Sequence, residues 1–414
     1  MAFLYHIAIH LYYLIVLAVS PFNPKARSWI RGRLGWRSSL QEWRNPVDQV
    51  IWVHAASLGE FEQGRPLIDE IKTKYTEYKL LLTFFSPSGF EIRKNYPGAD
   101  HVMYLPLDTC YNARRFVKLV NPAAAFFIKY EFWYNHLRQL RSGHHPVYLI
   151  SAIFRPGQVF FKWFGSWYKK SLAFIDFFFV QDESSKSLLQ QAGLSNCTVS
   201  GDTRFDRVIK VAGSARDVPL ARIFAEGRYC MVAGSTWPED EEFLSRYINE
   251  SAEDTCFIIA PHEISEAHLN RLILRLARSS VLFSNASVDT VHEAQVLIID
   301  NMGLLSSLYR YGRVAYIGGG FGKGIHNILE AAAFGIPVIF GPNYHKFREA
   351  RELIALGGAF TIRNSGELTS VLEMFRFNQE RYNISSQIST NYVHNNTGAT
   401  TKILNHVFKK LQNL

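Results

Sequence analysis

The sequence predicts an α/β protein: two Rossmann-like, doubly wound domains facing a cleft, with an N-terminal membrane-anchor helix. Three observations lead there. Short apolar runs alternate with amphipathic helical patterns along most of the 414 residues, as parallel sheets require. The strand pattern lapses once, between Val208 and Glu226, where Gly, Ser, Pro and Arg collect. The first twenty residues differ in composition from everything after them. A chain of this length is also too long for one ordinary core.

From Ala2 to Val19 no side chain carries a formal charge, and the length just suffices to span a bilayer core. Lys25, Arg27, Arg31, Arg33 and Arg37 follow, with Trp29 and Trp36 among them. Cations after an apolar segment favour a cytoplasmic body, and tryptophan suits the headgroup layer. A signal peptide would need a basic leader, and no Lys or Arg precedes the apolar segment. His6 and His10 keep an interfacial helix open as the alternative to a span.

Beyond that segment, strands are expected at 49–55, 79–85, 123–128, 146–150, 174–180 and 197–200. A second set follows at 229–233, 256–260, 294–299, 314–317, 337–340 and 359–362. Intervening helices carry apolar stripes such as Leu67, Ile68, Ile71 and Tyr75. The organisation reads as an anchor at 1–20, a first domain at 21–210, a second at 211–380, and a C-terminal helical segment at 381–414. That last segment is apolar on one face near 399–411 and is expected to cross back to the first domain.

Apolar residues make up 48% and charged residues 20%, a folded composition. The net charge of +9 implies an anionic partner: acidic substrate, acidic membrane or nucleic acid. No zinc-finger, basic-zipper or RNP-like pattern supports nucleic acid. Cys110, Cys197, Cys230 and Cys256 are far apart, which suits reduced thiols and argues against a disulfide or zinc framework.

Residues 318–342 carry the most information. A strand runs into a glycine loop, then a helix expected to open at His326 and Asn327 and to carry Glu330, then a second strand. Glycines allow close backbone approach, and a helix start offers unpaired donors to an anion. Gly319, Gly320 and His326 are therefore candidate phosphate contacts. A Walker A loop is excluded because Gly324 follows Lys323 and Ile317 holds the first glycine position. A dinucleotide fingerprint fails because Ile325 lies where its third glycine belongs. A turn made only for tight strand–helix packing is the competing reading.

Other candidates lie at strand-to-helix transitions, where such sheets place ligands. Ser57, Gly59 and Glu60 follow the first strand. Glu60 there is either the N3 member of a capping box with Ser57 or a base for a hydroxyl proton. Lys129, Glu131 and Trp133 follow the third strand, where the lysine can meet a carboxylate or simply pair with Glu131. Ser151, Arg155 and Gln158 follow the fourth. In the second half come Gly234, Ser235 and Thr236, then Pro261 and His262, then Met302, Gly303 and Leu304. No H-E-x-x-H or clustered His/Asp pattern indicates a metal, and no Gly-x-Ser-x-Gly elbow indicates a serine hydrolase.

The ordered series Trp52-Val53-His54-Ala55-Ala56-Ser57-Leu58-Gly59-Glu60, Lys129-Tyr130-Glu131-Phe132-Trp133, Gly201-Asp202-Thr203-Arg204-Phe205-Asp206, Ala233-Gly234-Ser235-Thr236 and His326-Asn327-Ile328-Leu329-Glu330 resembles one family. It is that of the 3-deoxy-D-manno-octulosonic acid (Kdo) transferases of bacterial lipopolysaccharide synthesis, which have the two-domain GT-B fold. The resemblance implies transfer of Kdo from CMP-Kdo to a tetraacylated lipid A precursor (lipid IVA), with inversion and without a metal or other cofactor. It places the general base at Glu60 and CMP contacts at Pro261, His262, Met302, Gly303, Leu304, Asn327, Ile328, Leu329 and Glu330. Gly234, Ser235, Thr236, Gly319, Gly320 and His326 would form the donor loop, and Ser57, Gly59, Lys129, Glu131 and Arg155 would meet Kdo or the acceptor. Partners implied are CMP-Kdo, the lipid A precursor and an anionic inner-membrane surface, with the catalytic domains on the cytoplasmic face and no nucleic acid.

The chain departs from the family's usual residues in several places. Pro261-His262-Glu263 stands where Pro-Arg-His is usual, and Leu304 where Glu is frequent. Ile325 replaces a second glycine, Tyr134 a proline, and Ile153 an arginine for which Arg155 is the nearest substitute. The alternatives are another GT-B enzyme using a UDP-sugar, as transferase or 2-epimerase, or a non-catalytic membrane-bound nucleotide-sugar binding protein.

Overall fold

The computed structural model describes residues 2–163 and 165–412. The chain divides into two units, Met1–Asp206 with Thr397–Leu414, and Arg207–Asn396. Each is built on a seven-stranded parallel sheet with flanking helices. In the first unit the strands are β1 Gln49–Ala55, β2 Tyr78–Phe84, β3 His101–Tyr104, β4 Pro122–Ile128, β5 Val147–Ala152, β6 Phe177–Val180 and β7 Cys197–Val199. Their order is β3-β2-β1-β4-β5-β6-β7. In the second unit they are β8 Tyr229–Thr236, β9 Thr255–Pro261, β10 Ser280–Leu282, β11 Val296–Ile298, β12 Val314–Ile317, β13 Val338–Phe340 and β14 Ala359–Thr361. The order is β10-β11-β9-β8-β12-β13-β14.

Both sheets change direction of winding next to their first strand, at β1/β4 and at β8/β12. There the loops leaving neighbouring strands diverge, and their carboxyl ends open a crevice for a ligand. Central strands are buried on both faces, so they read as continuous apolar runs: Val50 to Val53 and Phe126 to Ile128 are wholly covered. Of the four edge strands, β3 and β10 are absent from the sequence-based expectation. All of β10 and the first half of β3 are only partly covered, and without continuous burial the apolar signal fades.

The helix Gln379–Asn395 stays with the second unit, where Ser385 and Ser389 donate to the carbonyls of Gly357 and Gly358. The return to the first unit therefore comes at residue 397, later than the expected 381. The last helix, Ala399–Leu411, buries Ile403, Leu404, Val407 and Phe408 in the first unit's core, and Phe408 stacks on Tyr75. Asp206 fixes its start by accepting the N–H groups of Gly398 and Thr400.

The N-terminal helix, Ala2–Val19, is long and apolar enough to cross a membrane. One seam of it rests on the first unit. Tyr5 donates its hydroxyl to Asp108 at 2.5 Å, His6 Nε2 meets Asn135 Oδ1 at 3.1 Å, and Tyr12 packs edge-on against Trp29. Leu4, Ile7, Leu11, Leu14 and Ile15 are exposed.

Candidate functional site

In the first unit the β1/β4 switch point brings together most of the residues singled out there. β1 ends at Ala55, and Ser57 turns the chain into the helix Leu58–Lys74. Glu60, three residues into the turn, accepts the Ser57 N–H on Oε2 at 3.0 Å. The capping geometry is therefore present. It engages one oxygen and aims the carboxyl, and it does not exclude chemistry at the other. Burial pushes the Glu60 carboxyl up to about 7, helped by the negative charge of Glu131 and opposed by the Ser57 N–H and by Lys129. A carboxyl poised near neutrality suits proton abstraction at physiological pH.

Glu131 belongs to a buried relay that follows β4. The Trp133 indole N–H is shared between Glu131 Oε2 at 2.7 Å and His54 Nε2 at 2.9 Å. An indole nitrogen only donates, so His54 Nε2 must accept and the proton sits on Nδ1, which faces Thr83 Oγ1 at 2.9 Å. Burial lowers the His54 pKa despite Glu131, which agrees with a neutral ring. Thr83 in turn accepts the Trp52 indole N–H at 2.8 Å. His54 and Thr83 lie outside the sequence-derived site; both are on apolar strands, and only their partners across the sheet reveal them. Replacing Trp133 with Phe removes the donor to both groups and strands a buried ring nitrogen. Chemical denaturation is expected to show a loss of about 1–3 kcal/mol.

Lys129 adopts a left-handed backbone (φ 64°) and its N–H donates to Ile150 O. Arg155 is exposed, and its charge reaches the Tyr130 hydroxyl, as does that of Glu60. Gly59 is exposed on the first helical turn. Ser151 has a structural engagement instead: it is buried, left-handed (φ 54°), and bonded to Thr203 Oγ1 at 3.0 Å. Gln158 accepts the Arg155 N–H and so orders that loop.

In the second unit the β8/β12 switch point holds the other set. Ser235 is left-handed (φ 54°), and the Gly318 N–H donates to Gly234 O. A Cβ on Gly318 would lie 2.2 Å from Ser235 O, and one on Gly320 would lie 2.5 Å from Gly341 N. These glycines thus permit backbone-to-backbone packing. The Gly319 N–H donates to Asp240 Oδ2 at 2.8 Å, a buried carboxylate that also accepts from Trp237 N–H and the Tyr316 hydroxyl. The expected phosphate donor at Gly319 is already engaged. The helix after the loop runs only Leu329–Ala332, not from His326, so its dipole is that of a single turn. Asn327 forms the turn before it, accepting the Leu329 N–H and donating to Glu330 Oε1 at 3.0 Å. Ile328 and Leu329 are buried and present no side chain to a ligand.

What remains at this edge is a stack of three rings. Trp237 and His262 lie 4.5 Å apart and His262 and His326 4.6 Å apart, while the Trp237 indole N–H donates to His326 Nε2 at 3.0 Å. Burial and the neighbouring His262 lower the His326 pKa. The neutral ring accepts on Nε2 and carries its proton on Nδ1, a hydrogen-bond donor for an anion. The backbone N–H of His262 is fixed on Thr236 O, and buried Pro261 ends β9. Thr236 donates to Glu241, which pairs with His268. Gly234 leaves room for the Tyr309 hydroxyl, which also feels the charge of Glu330. Met302 is 87% exposed, Gly303 is left-handed (φ 93°), and Leu304 precedes the helix Leu305–Leu308. Among the described residues no group of three or more His, Cys, Asp or Glu side chains is placed to hold a metal ion.

The family described as 3-deoxy-D-manno-octulosonic-acid transferase (kdotransferase) matches residues 29–207, the stretch that carries Glu60 and Glu131. A 3-deoxy-D-manno-octulosonic acid transferase of Aquifex aeolicus is 28% identical over 331 residues, covering 78% of this chain and 85% of the relative. The enzyme of the same name from Bordetella pertussis is 29% identical, covering 79% and 78%. That of Haemophilus influenzae is 23% identical, covering 83% and 82%. Among solved structures, UDP-GlcNAc 2-epimerase from Neisseria meningitidis, bound to UDP-GlcNAc, superposes with a TM-score of 0.61 at 16% identity, covering 87% of this chain and all of the other. A putative UDP-N-acetylglucosamine 2-epimerase from Listeria monocytogenes gives 0.60 at 13%, covering 89% and 98%. The structural likeness concerns the fold alone.

Proposed function

We infer that this chain, which belongs to the bacterial 3-deoxy-D-manno-octulosonic acid (Kdo) transferase family of glycosyltransferases, moves Kdo from CMP-Kdo to a lipid A precursor with inversion at the anomeric carbon. The observation that carries the mechanism is the Glu60 carboxyl, aimed by its cap and poised near neutrality at the end of β1. In the proposed step Glu60 takes the proton of the acceptor hydroxyl. The oxygen's electron pair then forms the new bond to the anomeric carbon, while the bond to the CMP phosphate breaks and its electrons leave with CMP. One base and one displacement account for inversion. Lys129 and Arg155 supply positive charge for the Kdo carboxylate. In the second unit, His326 Nδ1–H donates to the CMP phosphate, the ring stack bears on the nucleotide, and Glu330 accepts the ribose hydroxyls. His262 and Trp237 occupy the neighbourhood in which the family's arginine is missing.

The enzyme is proposed to work at the cytoplasmic face of the inner membrane. The basic segment after the N-terminal helix supports this, together with a groove of about 480 Å³ lined by Arg37, Arg114, Arg115 and Lys118. None of these four has a carboxylate within ion-pair distance among the described residues. Unpaired cations in one groove favour an anionic surface. The contacts of Tyr5 with Asp108 and of Tyr12 with Trp29 favour a helix lying in the interface over one crossing the bilayer alone.

Mass spectrometry of the product formed from CMP-Kdo and the lipid A precursor tests the reaction. Thermal melting separates the nucleotides. CMP at about 100 times its Kd is expected to stabilise the protein by ~2.7 kcal/mol, with no effect from UDP. Stabilisation by UDP alone would replace this reading with that of a UDP-sugar enzyme.

A further inference from the structure

The first unit contains an apolar cavity of about 410 Å³ beside the proposed base. Its walls are largely aromatic, including Phe132, Trp133, Phe160 and Trp167. One wall comes from the N-terminal helix, through Tyr5 and Ile9. Tyr130 and Glu131 also line it, and both are electrostatically coupled to Glu60. The cavity therefore extends from the N-terminal helix to Glu131, whose charge acts on Glu60.

We propose that this cavity is the subsite for one fatty acyl chain of the acceptor, and that the N-terminal helix forms part of substrate recognition as well as attaching the enzyme. This rests on the reading of the acceptor as a lipid. Three features argue for an acyl chain as the occupant. The lining surface is mostly apolar ring face, with the hydroxyls of Tyr5, Tyr130, Tyr134 and Tyr168 and the Glu131 carboxylate among its polar groups. The volume lies toward the lower end for a ligand pocket, which fits one chain and not an entire multi-acylated lipid. The helix that walls the cavity presents exposed Leu4, Ile7, Leu11 and Leu14 elsewhere on its surface. A chain can accordingly pass from the bilayer along that helix without crossing water. Anchoring one chain beside Glu131 would hold the sugar end of the acceptor near Glu60, which turns apolar binding into positioning of the reacting hydroxyl.

The test uses the full chain in mixed micelles with CMP-Kdo and two acceptors, the acylated lipid A precursor and the same molecule stripped of its acyl chains. Ile9→Trp and Val159→Trp fill the cavity from two separate elements and replace no group assigned to catalysis. Each is expected to raise KM for the acylated acceptor at least tenfold while leaving kcat/KM for the stripped acceptor within twofold. An unchanged KM for the acylated acceptor, or an equal loss on both acceptors, overturns the proposal. Should either variant fail to fold, photo-crosslinking of the unaltered protein decides. An acceptor carrying a photoreactive acyl terminus is expected to label residues 5, 9, 130–134, 159, 160, 167, 168 or 171, and labelling elsewhere overturns the subsite. If the unaltered protein forms no product from either acceptor, the Kdo reading fails, and the crosslink still reports whether the cavity takes a lipid chain.

Discussion

Glu60→Gln is expected to lower kcat by 10²–10⁴-fold, the usual contribution of a positioned general base, while the protein stays folded. The substitution is informative because Glu60 has two functions in the structure. Its Oε2 accepts the Ser57 N–H, and glutamine retains an amide oxygen able to do the same. The cap therefore survives in Glu60→Gln, and below pH 4.5, where Glu60 is itself protonated, the melting transition should move by less than the ~1 kcal/mol that a lost cap costs. Glu60→Ala removes both functions and should show the activity loss together with that cap loss. If Glu60→Gln kept near-native turnover while Glu60→Ala was destabilised, Glu60 would be a cap and nothing more, and the mechanism would need another base.

The second large effect is in the pH profile. Burial, and then the charge of Glu131, push Glu60 up to about 7. The value of kcat/KM should rise with pH up to about 7 and level off above it, because only the carboxylate form accepts a proton. Glu131→Gln removes a negative charge and keeps an oxygen for the Trp133 indole N–H, so the Glu60 pKa should fall and the acid limb should move to lower pH. On that limb, every half unit of displacement is a gain of about threefold relative to the plateau. An acid limb that stayed in place would mean that Glu131 does not act on the titrating group. The linked effect on stability has a definite sign. The folded state keeps the Glu60 proton between its ordinary value of 4.5 and about 7, whereas the unfolded chain releases it. This contribution is fully present below 4.5 and is lost as pH rises through about 7. Glu60→Gln should remove that slope.

Much of this protein was legible before its structure. Buried central strands make continuous apolar runs, so twelve strands and the division into two sheets follow from local pattern. Glu60 could be placed after β1 and at a helix start because both signals lie within ten residues of it. The same local information left cap and base undecided, and the structure shows that the cap is formed without consuming the carboxyl.

The rest depended on partners remote in the chain. β3 and β10 are strands because a neighbour pairs with them, not because their own residues are apolar throughout. The Gly319 N–H looked available for phosphate until Asp240, 79 residues away in sequence, took it. The helix at Leu329–Ala332 is a single turn with a correspondingly small dipole, whereas the His262–His326–Trp237 stack is assembled from three separate loops. His54 acquired a role only through Trp133, also 79 residues away. The sequence by itself determined the α/β layout, the family resemblance and the position of Glu60 between a strand end and a helix start, because periodicity and strand-to-helix transitions are short-range. Only the tertiary structure decided the burial that raises the pKa of that carboxyl, the engagement of the glycine loop and the cavity beside the N-terminal helix. Burial, hydrogen-bond partners and electric fields are set by groups that the chain brings together from afar.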